Sequence, residues 1–504
     1  MRLLTTDQAR SLDRISMDEY GISGIDLMES AGKEVANEAI LILAEIHDPK
    51  ILILTGKGNN GGDGFAAAAQ LKDYNICLFS LVNESEINGD AAHFHKQCQE
   101  IRISIQYNPE IPEDTEFDLI IDAILGTGTK GELRDDVSNW TQWINNQSGT
   151  VLSVDCPTGL NGTSGHCSKN TVQASTTVTF GLSKLGLHLK KGKRCSGTIK
   201  VVDIGFPNII NLEGLYWSTF EQPNLSDGLK KIPIDTYKHK QGKLLIIAGS
   251  KGMTGAAVLS TFGALRSGAG LAVTCAPDSI NDIYEKTIIE GMTISCTDKG
   301  TGYFIEESYE NLSSKFDWCD AIIIGPGIGD NEATKQFATK VVLKATKPLV
   351  IDADALRIFE KNPDVFHRIN VPFIITPHEG EFCRILGINR DELMNGFPTI
   401  IEDFIDRFPG VLVLKNAPTL TLYQKNAVVN TSGNPGMATA GMGDVLSGMI
   451  GTFLSQGADA FSAAQTGVYI HGLTADRISN SKGYRGLIAS DLLNELPNVL
   501  HEFE

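Results

Sequence analysis

The chain has 504 residues, more than one ordinary domain holds, so two domains are expected. Hydrophobic residues make up 42% and charged residues 21%, a globular composition, and no apolar run reaches the ~20 residues of a membrane span. A net charge of −18 argues against nucleic acid as the main partner, but not against a nucleotide, because backbone amides and a few lysines can hold phosphates.

Nine cysteines are scattered without a C-x-x-C pair, which points to a reducing compartment and no structural zinc. The start, M-R-L-L-T-T-D-Q-A-R, lacks the apolar core and cleavage site of a secretory signal. A cytoplasmic location is expected.

Residues 7–47 carry helical apolar periodicity, including L-M-E-S-A-G at Leu27–Gly32. K-I-L-I-L-T (Lys50–Thr55) is a buried strand that runs into a glycine loop, G-K-G-N-N-G-G-D-G (Gly56–Gly64), before F-A-A-A-A-Q-L opens a helix. No Lys-Ser/Thr ending makes this a P-loop. Asn59, Asn60, Gly61, Gly62 and Asp63 offer amide, backbone and carboxylate groups suited to a sugar, a phosphate edge or a hard cation.

Further strands follow at βα spacing. One closes on Asp122 and leads to a second glycine loop (Leu125–Glu132), which holds Gly126, Thr127, Gly128, Thr129, Lys130, Gly131 and Glu132. Another closes on Asp155 and leads to C-P-T-G-L. Sites in a parallel sheet collect at the carboxyl ends of strands, so Asn60, Asp122, Asp155 and Thr158 are expected to meet. Either aspartate alone could equally cap its loop. T-T-V-T-F and T-I-K-V-V-D finish this part, and His188 with the basic run Lys190–Arg194 reads as solvated surface.

The strings L-M-E-S-A-G, G-N-N-G-G-D-G, D-A-I-L-G-T-G and V-D-C-P-T-G-L resemble, in order, the motifs of the NAD(P)H-hydrate epimerase family and the related apolipoprotein A-I-binding proteins. The resemblance covers about residues 1–215. It implies a Rossmann-like sheet and a bound potassium ion, with Asn60, Asp122 and Thr158 as its ligands. It also implies that Asn59–Asp63, Gly126–Glu132 and Asp155 face the substrate. The family's usual D-I-P-S-G is D-C-P-T-G here. Thr158 keeps the hydroxyl, and Cys156 is expected only to pack.

Strand periodicity stops between Phe206 and Tyr237, and the domain boundary is placed near Gln222–Gly228, giving domains of 1–222 and 223–504. A second α/β series follows: K-L-L-I-I-A into G-S-K-G-M-T-G-A-A (Gly249–Ala257), D-A-I-I-I-G-P-G-I-G (Asp320–Gly329), P-L-V-I-D-A-D-A-L (Pro348–Leu356), F-I-I-T-P-H-E-G-E-F (Phe373–Phe382) and G-V-L-V-L-K-N-A-P-T (Gly410–Thr419). Of Asp352 and Asp354, one is expected to turn the chain and the other to touch the site. His378, at a strand end beside an acidic pair, is expected to contact substrate, although a structural hydrogen bond is the alternative.

The series ends at N-P-G-M-A-T-A-G-M-G-D-V-L-S-G (Asn434–Gly448). Gly441, Met442 and Gly443 would present free amides at a helix start, where donors and dipole attract phosphate. Asp444, in the first turn, is a carboxylate among those donors. It could take a proton from a hydroxyl while the loop neutralises phosphate charge.

This half resembles NAD(P)HX dehydratase, a ribokinase-like family, through K-H-K-Q-G, A-G-S-K-G-M-T-G-A-A, G-P-G-I-G, D-A-D-A-L, T-P-H-E-G-E, L-K-N-A-P-T and the terminal glycine string. The resemblance implies a nucleotide site at Lys415, Asn416, Ala417, Pro418, Thr419 and Gly443, and hydrate-facing Gly255, Gly327, His378 and Asp444. The order of the halves resembles the fused bacterial repair enzyme, whose dehydratase uses ADP, with Mg²⁺. It implies NADHX, NADPHX and ADP as substrates and a homo-oligomer. Two alternatives stand beside it. The same loop and Asp444 suit a ribokinase-like small-molecule kinase that leaves phosphate on its product, and the first half could be a noncatalytic binding module.

Overall fold

The computed structural model describes residues 1–112, 116–129, 131–208, 212–360 and 362–504. The chain divides into two compact units, Arg2–Trp217 and Ser218–Glu504, the latter also taking Met1. The stretch without apparent strand periodicity does hold one strand, Tyr216–Thr219. Its four residues are too few for alternation to show in the sequence.

In the first unit, helix α1 (Thr6–Asp18) opens with a reciprocal cap between Thr5 and Gln8, and α2 (Gly24–Leu43) is capped by Ser23. The strands are β1 (Lys50–Thr55), β2 (Asn75–Ser80), β3 (Ile105–Tyr107), β4 (Leu119–Ala123), β5 (Thr150–Val154), β6 (Thr176–Phe180) and β7 (Thr198–Val202). They form a parallel sheet in the order β3-β2-β1-β4-β5-β6-β7.

Alternate side chains of each strand enter opposite cores. Ile51, Ile53, Ile121 and Val154 pack with Val35 and Phe65, whereas Leu52, Leu54, Ile120 and Val151 pack with Trp140 and Ile144. A sheet covered on both faces needs the continuous apolar runs seen in the sequence. The strand order reverses between β1 and β4, which opens a crevice at their carboxyl ends.

The glycine string is shorter as a loop than its sequence suggests. Helix α3 (Asn59–Gln70) begins inside it, so Asn59 to Gly64 are its first turns. Neighbouring strand ends approach so closely that a Cβ on Gly56 would lie 2.1 Å from the Ile124 carbonyl oxygen. His188 is half-buried rather than solvated, with Nε2 2.8 Å from the Ser183 hydroxyl, because it closes a short 3-10 turn, Leu185–His188. Within the following helix, Lys191, Lys193 and Arg194 are exposed, as expected. Cys156 is fully buried against Leu160 and Leu187, a packing residue.

The second unit contains β8 (Lys243–Ile247), β9 (Leu271–Pro277), β10 (Met292–Cys296), β11 (Ala321–Ile324), β12 (Leu349–Ile351), β13 (Phe373–Ile375) and β14 (Val411–Leu414), all parallel, followed by the antiparallel hairpin β15 (Leu420–Tyr423) and β16 (Asn426–Val429). Their order is β10-β9-β8-β11-β12-β13-β14-β15-β16, with a reversal between β8 and β11. Helices α4 (Thr254–Arg266), α5 (Glu379–Leu386), α6 (Met442–Ser455) and α7 (Ala460–Lys482) position the loops discussed below. Val445, Met449 and Phe453 of α6 pack on Leu244, Ile246 and Ile323 of the sheet, which fixes the N-terminus of α6 at the strands' carboxyl ends.

Candidate functional sites

The reversal point of the first unit opens on a cavity of ≈620 Å³. Asn59, Asn60, Asp63, Gly126, Thr127, Gly128 and Asp155 line it, as expected from the sequence. Gly61 and Gly62 do not. A Cβ on the first would strike the Gly56 carbonyl and one on the second the Met28 sulfur, so both serve close packing of α3. Thr129 turns back to donate to the Gly126 carbonyl (3.4 Å), and the Gly131 carbonyl accepts from Ser168 (3.0 Å). Glu132 is engaged with the Lys169 amide at 3.1 Å, away from the cavity lining. Lys130 lies outside the described residues.

Asp155 has φ +61, a left-handed backbone that aspartate tolerates better than most residues. Its Oδ1 accepts from both the Lys184 ammonium and the Thr179 hydroxyl. Burial opposes the charge on Lys184, but Asp155 and its neighbours outweigh it and raise the ammonium's pKa. Asp63 is held well above the usual carboxylate range by burial, with Asp155 and Asp13 adding to the shift and Lys184 opposing it.

Lys184, Asp13, Arg10 and Lys57 line the same cavity and were not singled out in the sequence. Lys184 follows the end of β6 by four residues, a strand-end position that could have flagged it. Asp13 carried no such signal, because it lies in an ordinary amphipathic helix.

Beside the cavity, Asp122 is fully buried within β4. Its Oδ1 accepts from the Thr158 hydroxyl at 2.6 Å, and its Oδ2 accepts from Ser153 (2.9 Å) and the Thr158 amide (2.9 Å). Burial raises the Asp122 carboxyl despite these bonds, and no cationic side chain among the described residues offsets it. Both amide atoms of Asn60 are buried without a hydrogen-bond partner among the described residues, and its Oδ1 would lie 2.6 Å from a Cβ on Gly126. The Leu125 carbonyl is 3.1 Å from the Thr158 hydroxyl. An orphaned amide oxygen, a buried carboxylate, a hydroxyl and a carbonyl are an all-oxygen donor set that fits a potassium ion.

In the second unit the centre is Asp352, 1% exposed at the end of β12. Lys415 Nζ (2.7 Å) and Thr376 Oγ1 (2.6 Å) donate to Oδ1, and Ser447 Oγ (2.6 Å) donates to Oδ2. Burial would raise this carboxyl, but Lys415, Ser447 and Thr376 outweigh it and hold it below the usual range. Lys415 is likewise disfavoured by burial, yet Asp352 and Glu381 raise its pKa.

Gly441, at φ +88, is the N-cap of α6, and Asp444 is in the first turn. The first amides of a helix have no partner within it, so they face this site as free donors. Burial pushes the Asp444 carboxyl up to about 7; Asp352 and Asp354 add to the shift and Lys415 opposes it. A Cβ on Gly443 would lie 3.3 Å from Lys415 Nζ and 3.9 Å from Asp352 Oδ2, so Gly443, Lys415 and Asp352 form one cluster. Asp354 accepts from the Gly329 amide (2.9 Å) and holds the Gly325–Gly329 turn. Gly327 packs on the start of α4, where a Cβ would meet Ala256 at 2.8 Å, whereas a Cβ on Gly255 would meet open space.

His378 bridges in parallel to Lys415, so these two strand ends adjoin. Its imidazole is committed to structure, however: Nδ1 accepts from the Glu381 amide (3.2 Å) while Glu381 Oε2 accepts from the His378 amide (2.8 Å), a reciprocal cap of α5. Asn416 turns its amide to Glu379 and its Oδ1 to the Ala417 amide, and Thr419 donates to the Asn416 carbonyl, which folds Asn416–Thr419 into a tight loop with Pro418 at its turn.

Two family descriptions match the chain: "NAD(P)H-hydrate dehydratase" over residues 244–498 and "YjeF-related protein N-terminus" over residues 24–186. The bifunctional NAD(P)H-hydrate repair enzyme of Moorella thermoacetica is 33% identical over 516 residues, covering 100% of this chain and 97% of that protein. The chain belongs to the bifunctional NAD(P)H-hydrate repair enzyme family.

The repair enzyme of Coxiella burnetii is also 33% identical, over 97% of both chains. A solved structure, the ADP/ATP-dependent NAD(P)H-hydrate dehydratase of Bacillus subtilis co-crystallised with ATP and Mg²⁺, matches with a TM-score of 0.50 at 27% identity, covering 58% of this chain and all of that one. A ribokinase-like protein of Enterococcus faecalis has the same fold, with a TM-score of 0.51 at 24% identity. As a member of the repair family the chain carries both parts in one polypeptide, and the polar clusters described above fall in the two matched regions, Asn60–Thr158 in the first and Asp352–Asp444 in the second.

Proposed function

We propose that the chain repairs hydrated NADH and NADPH in two steps. The first unit interconverts the R and S hydrates, and the second dehydrates the S hydrate at the expense of ADP, releasing AMP and phosphate. The observation that carries the reading is Asp444, a carboxyl with a pKa of about 7 among the free amides of α6 and beside the Lys415–Asp352 pair. A base poised near neutrality next to an anion-binding helix start suits proton abstraction coupled to phosphoryl transfer.

The hydrate carries a hydroxyl next to the ring nitrogen, and hydroxide leaves poorly. Asp444 takes the hydroxyl proton as the oxygen attacks the terminal phosphorus of ADP, and AMP departs. The ring nitrogen's lone pair then expels phosphate, forming C=N⁺. The adjacent ring carbon gives up a proton, which the departing phosphate can take, so that the ring double bond returns. The amides of Gly441–Gly443 and Lys415 stabilise the charge on the transferring group. Lys415–Thr419 with Gly443 hold the nucleotide; Gly255, Gly327 and the exposed edge of His378 face the hydrate. Magnesium bound with the nucleotide would supply further neutralisation of phosphate charge.

In the first unit, Asn60, Asp122, Thr158 and the Leu125 carbonyl would hold potassium, which would neutralise the buried carboxylate and fix the two glycine loops. Asp155 is a proton-transfer residue, and Asn59, Asp63 and Gly126–Gly128 contact the hydrate. The enzyme works in the cytoplasm as a homo-oligomer. Among the described residues no helix is long and apolar enough to cross a membrane.

The test uses a mixed-epimer preparation of hydrated NADH with ADP and Mg²⁺, following return of the dihydronicotinamide absorbance. Recovery of both epimers is expected, reduced to one by Asp155→Ala and abolished by Asp444→Ala. Absence of recovery with folded protein overturns the reading, and a stable phosphorylated product would mark a kinase instead.

A further inference from the structure

The epimerase cavity holds more proton-transfer groups than Asp155 alone. Asp13 reaches it from α1, Asp63 from α3, and Asp155 from the loop after β5. Both hydrogen bonds to the Asp155 carboxylate fall on Oδ1, so Oδ2 has no partner among the described residues. The carboxyls of Asp13 and Asp63 likewise have no hydrogen-bond partner among the described residues. Carboxyl oxygens left without protein partners where they line a cavity are available to a ligand.

Inverting the hydroxylated carbon requires two proton transfers. The carbon–oxygen bond breaks as the ring nitrogen's lone pair forms a C=N⁺ bond, and the hydroxyl needs a proton to leave as water. Water then adds to the other face, the C=N⁺ electrons return to nitrogen, and the incoming water gives up a proton. The balance is zero if one carboxyl donates and a second accepts. Asp155 is ion-paired with the Lys184 ammonium, a partner that suits it to accept the proton. The donor must come from another element.

We propose that Asp13 is the second proton-transfer residue of the epimerase, paired with Asp155 across the reaction at the hydroxylated carbon. This rests on the epimerase reading of the first unit. Asp63 is the less suitable donor: it is only 9% exposed, and burial, with Asp155 and Asp13 adding to it, disfavours its ionised form. Asp13 is raised to about 6 by burial, lowered in part by Lys184 and raised by Asp155, and so cycles near neutrality. The titratable groups facing it are Asp63, Asp155 and Lys184, with Arg10, Lys57 and Asp90 on the same cavity. The rate falls as rising pH removes the Asp13 proton.

The experiment follows conversion of purified R hydrate of NADPH to the S form by chromatography, using the full chain without ADP, after subtracting the spontaneous rate. A wild type no faster than buffer removes the epimerase reading itself. With an active wild type, Asp13→Asn is expected to lower kcat by about 10²–10⁴-fold with KM little changed, and to abolish the fall in rate above pH ~6. A folded Asp13→Asn enzyme with wild-type kcat and pH profile overturns the proposal. If thermal melting shows that Asp13→Asn does not fold, Asp13→Glu decides: a retained alkaline fall with reduced kcat supports it, and a folded variant without that fall overturns it.

Discussion

Lys415 Nζ lies 2.7 Å from Asp352 Oδ1, joining the ends of two parallel strands through an ion pair whose carboxylate is 1% exposed. Breaking such a pair from one side leaves a buried charge, which costs about 3–5 kcal/mol. Lys415→Met and Asp352→Asn are each expected to lower the unfolding free energy of the second unit by that order, and the double variant by less than the sum. Asp352 has a depressed pKa, so its contribution is complete above the unfolded value of about 3.9 and is lost as pH falls through the folded one. Lys415 has a raised pKa, so its contribution is complete below about 10.4 and is lost as pH rises through the folded value. Denaturant melts between pH 5 and 9 should therefore show a deficit in each single variant throughout, varying with pH only near 7, where Asp444, whose carboxyl both residues shift, titrates.

Asp444 has the opposite sign. Its folded pKa of about 7 exceeds that of the unfolded carboxyl, so the native state binds the extra proton and loses stability as pH rises between the two values. Asp444→Asn is expected to raise the melting temperature at pH 8 relative to wild type, and to leave it nearly unchanged at pH 4. Dehydration by the wild type should increase with pH through about 7 as the base ionises. Asp444→Asn should lose that limb and about 10²–10⁴-fold in kcat.

The parallel architecture was legible in the sequence because strands buried on both faces are continuous apolar runs, and Lys50–Thr55 coincides with β1. The glycine string after Lys50–Thr55 marked a strand end where backbones approach closely, since at Gly56 there is no room for a side chain. Partnerships between distant residues were not legible. Lys184 and Asp155 are 29 positions apart, Lys415 and Asp352 are 63 apart, and each pair joins only once the sheet order is known. Asp13 escaped because its helix reads as any amphipathic helix, and the cap between His378 and Glu381, the structural hydrogen bond kept as the alternative for His378, lies in the H-E-G-E spacing.

The orphaned Asn60 amide and the buried Asp122 carboxylate lead to the expectation that the first unit responds to a monovalent cation. Replacing choline chloride by potassium chloride at constant ionic strength is expected to raise its melting temperature, because a ligand bound only by the native state stabilises it. Asp122→Asn removes the charge and should abolish the increment, and Asn60→Ala should reduce it. Equal melting in the two salts would show that the donor set holds no ion.

Two glycines at the start of α6 separate folding from binding. At Gly441, φ is +88 and a Cβ would lie 2.6 Å from Leu259 Cδ1 and 3.0 Å from Ala489 Cβ, so Gly441→Ala combines backbone strain with a clash. It is expected to destabilise by about 1–3 kcal/mol. At Gly443 the backbone is helical, and an added Cβ would meet only Lys415 Nζ at 3.3 Å and Asp352 Oδ2 at 3.9 Å. Gly443→Ala should therefore fold with nearly wild-type stability, since alanine favours a helix. The methyl group would nevertheless stand where a phosphate must approach Lys415. The KM for ADP should rise by at least about tenfold, ~1.4 kcal/mol, while the epimerase rate stays at the wild-type value. Calorimetric titration with ADP, alongside thermal melts of both variants, checks the pair: weak binding with intact stability at 443, and lost stability at 441.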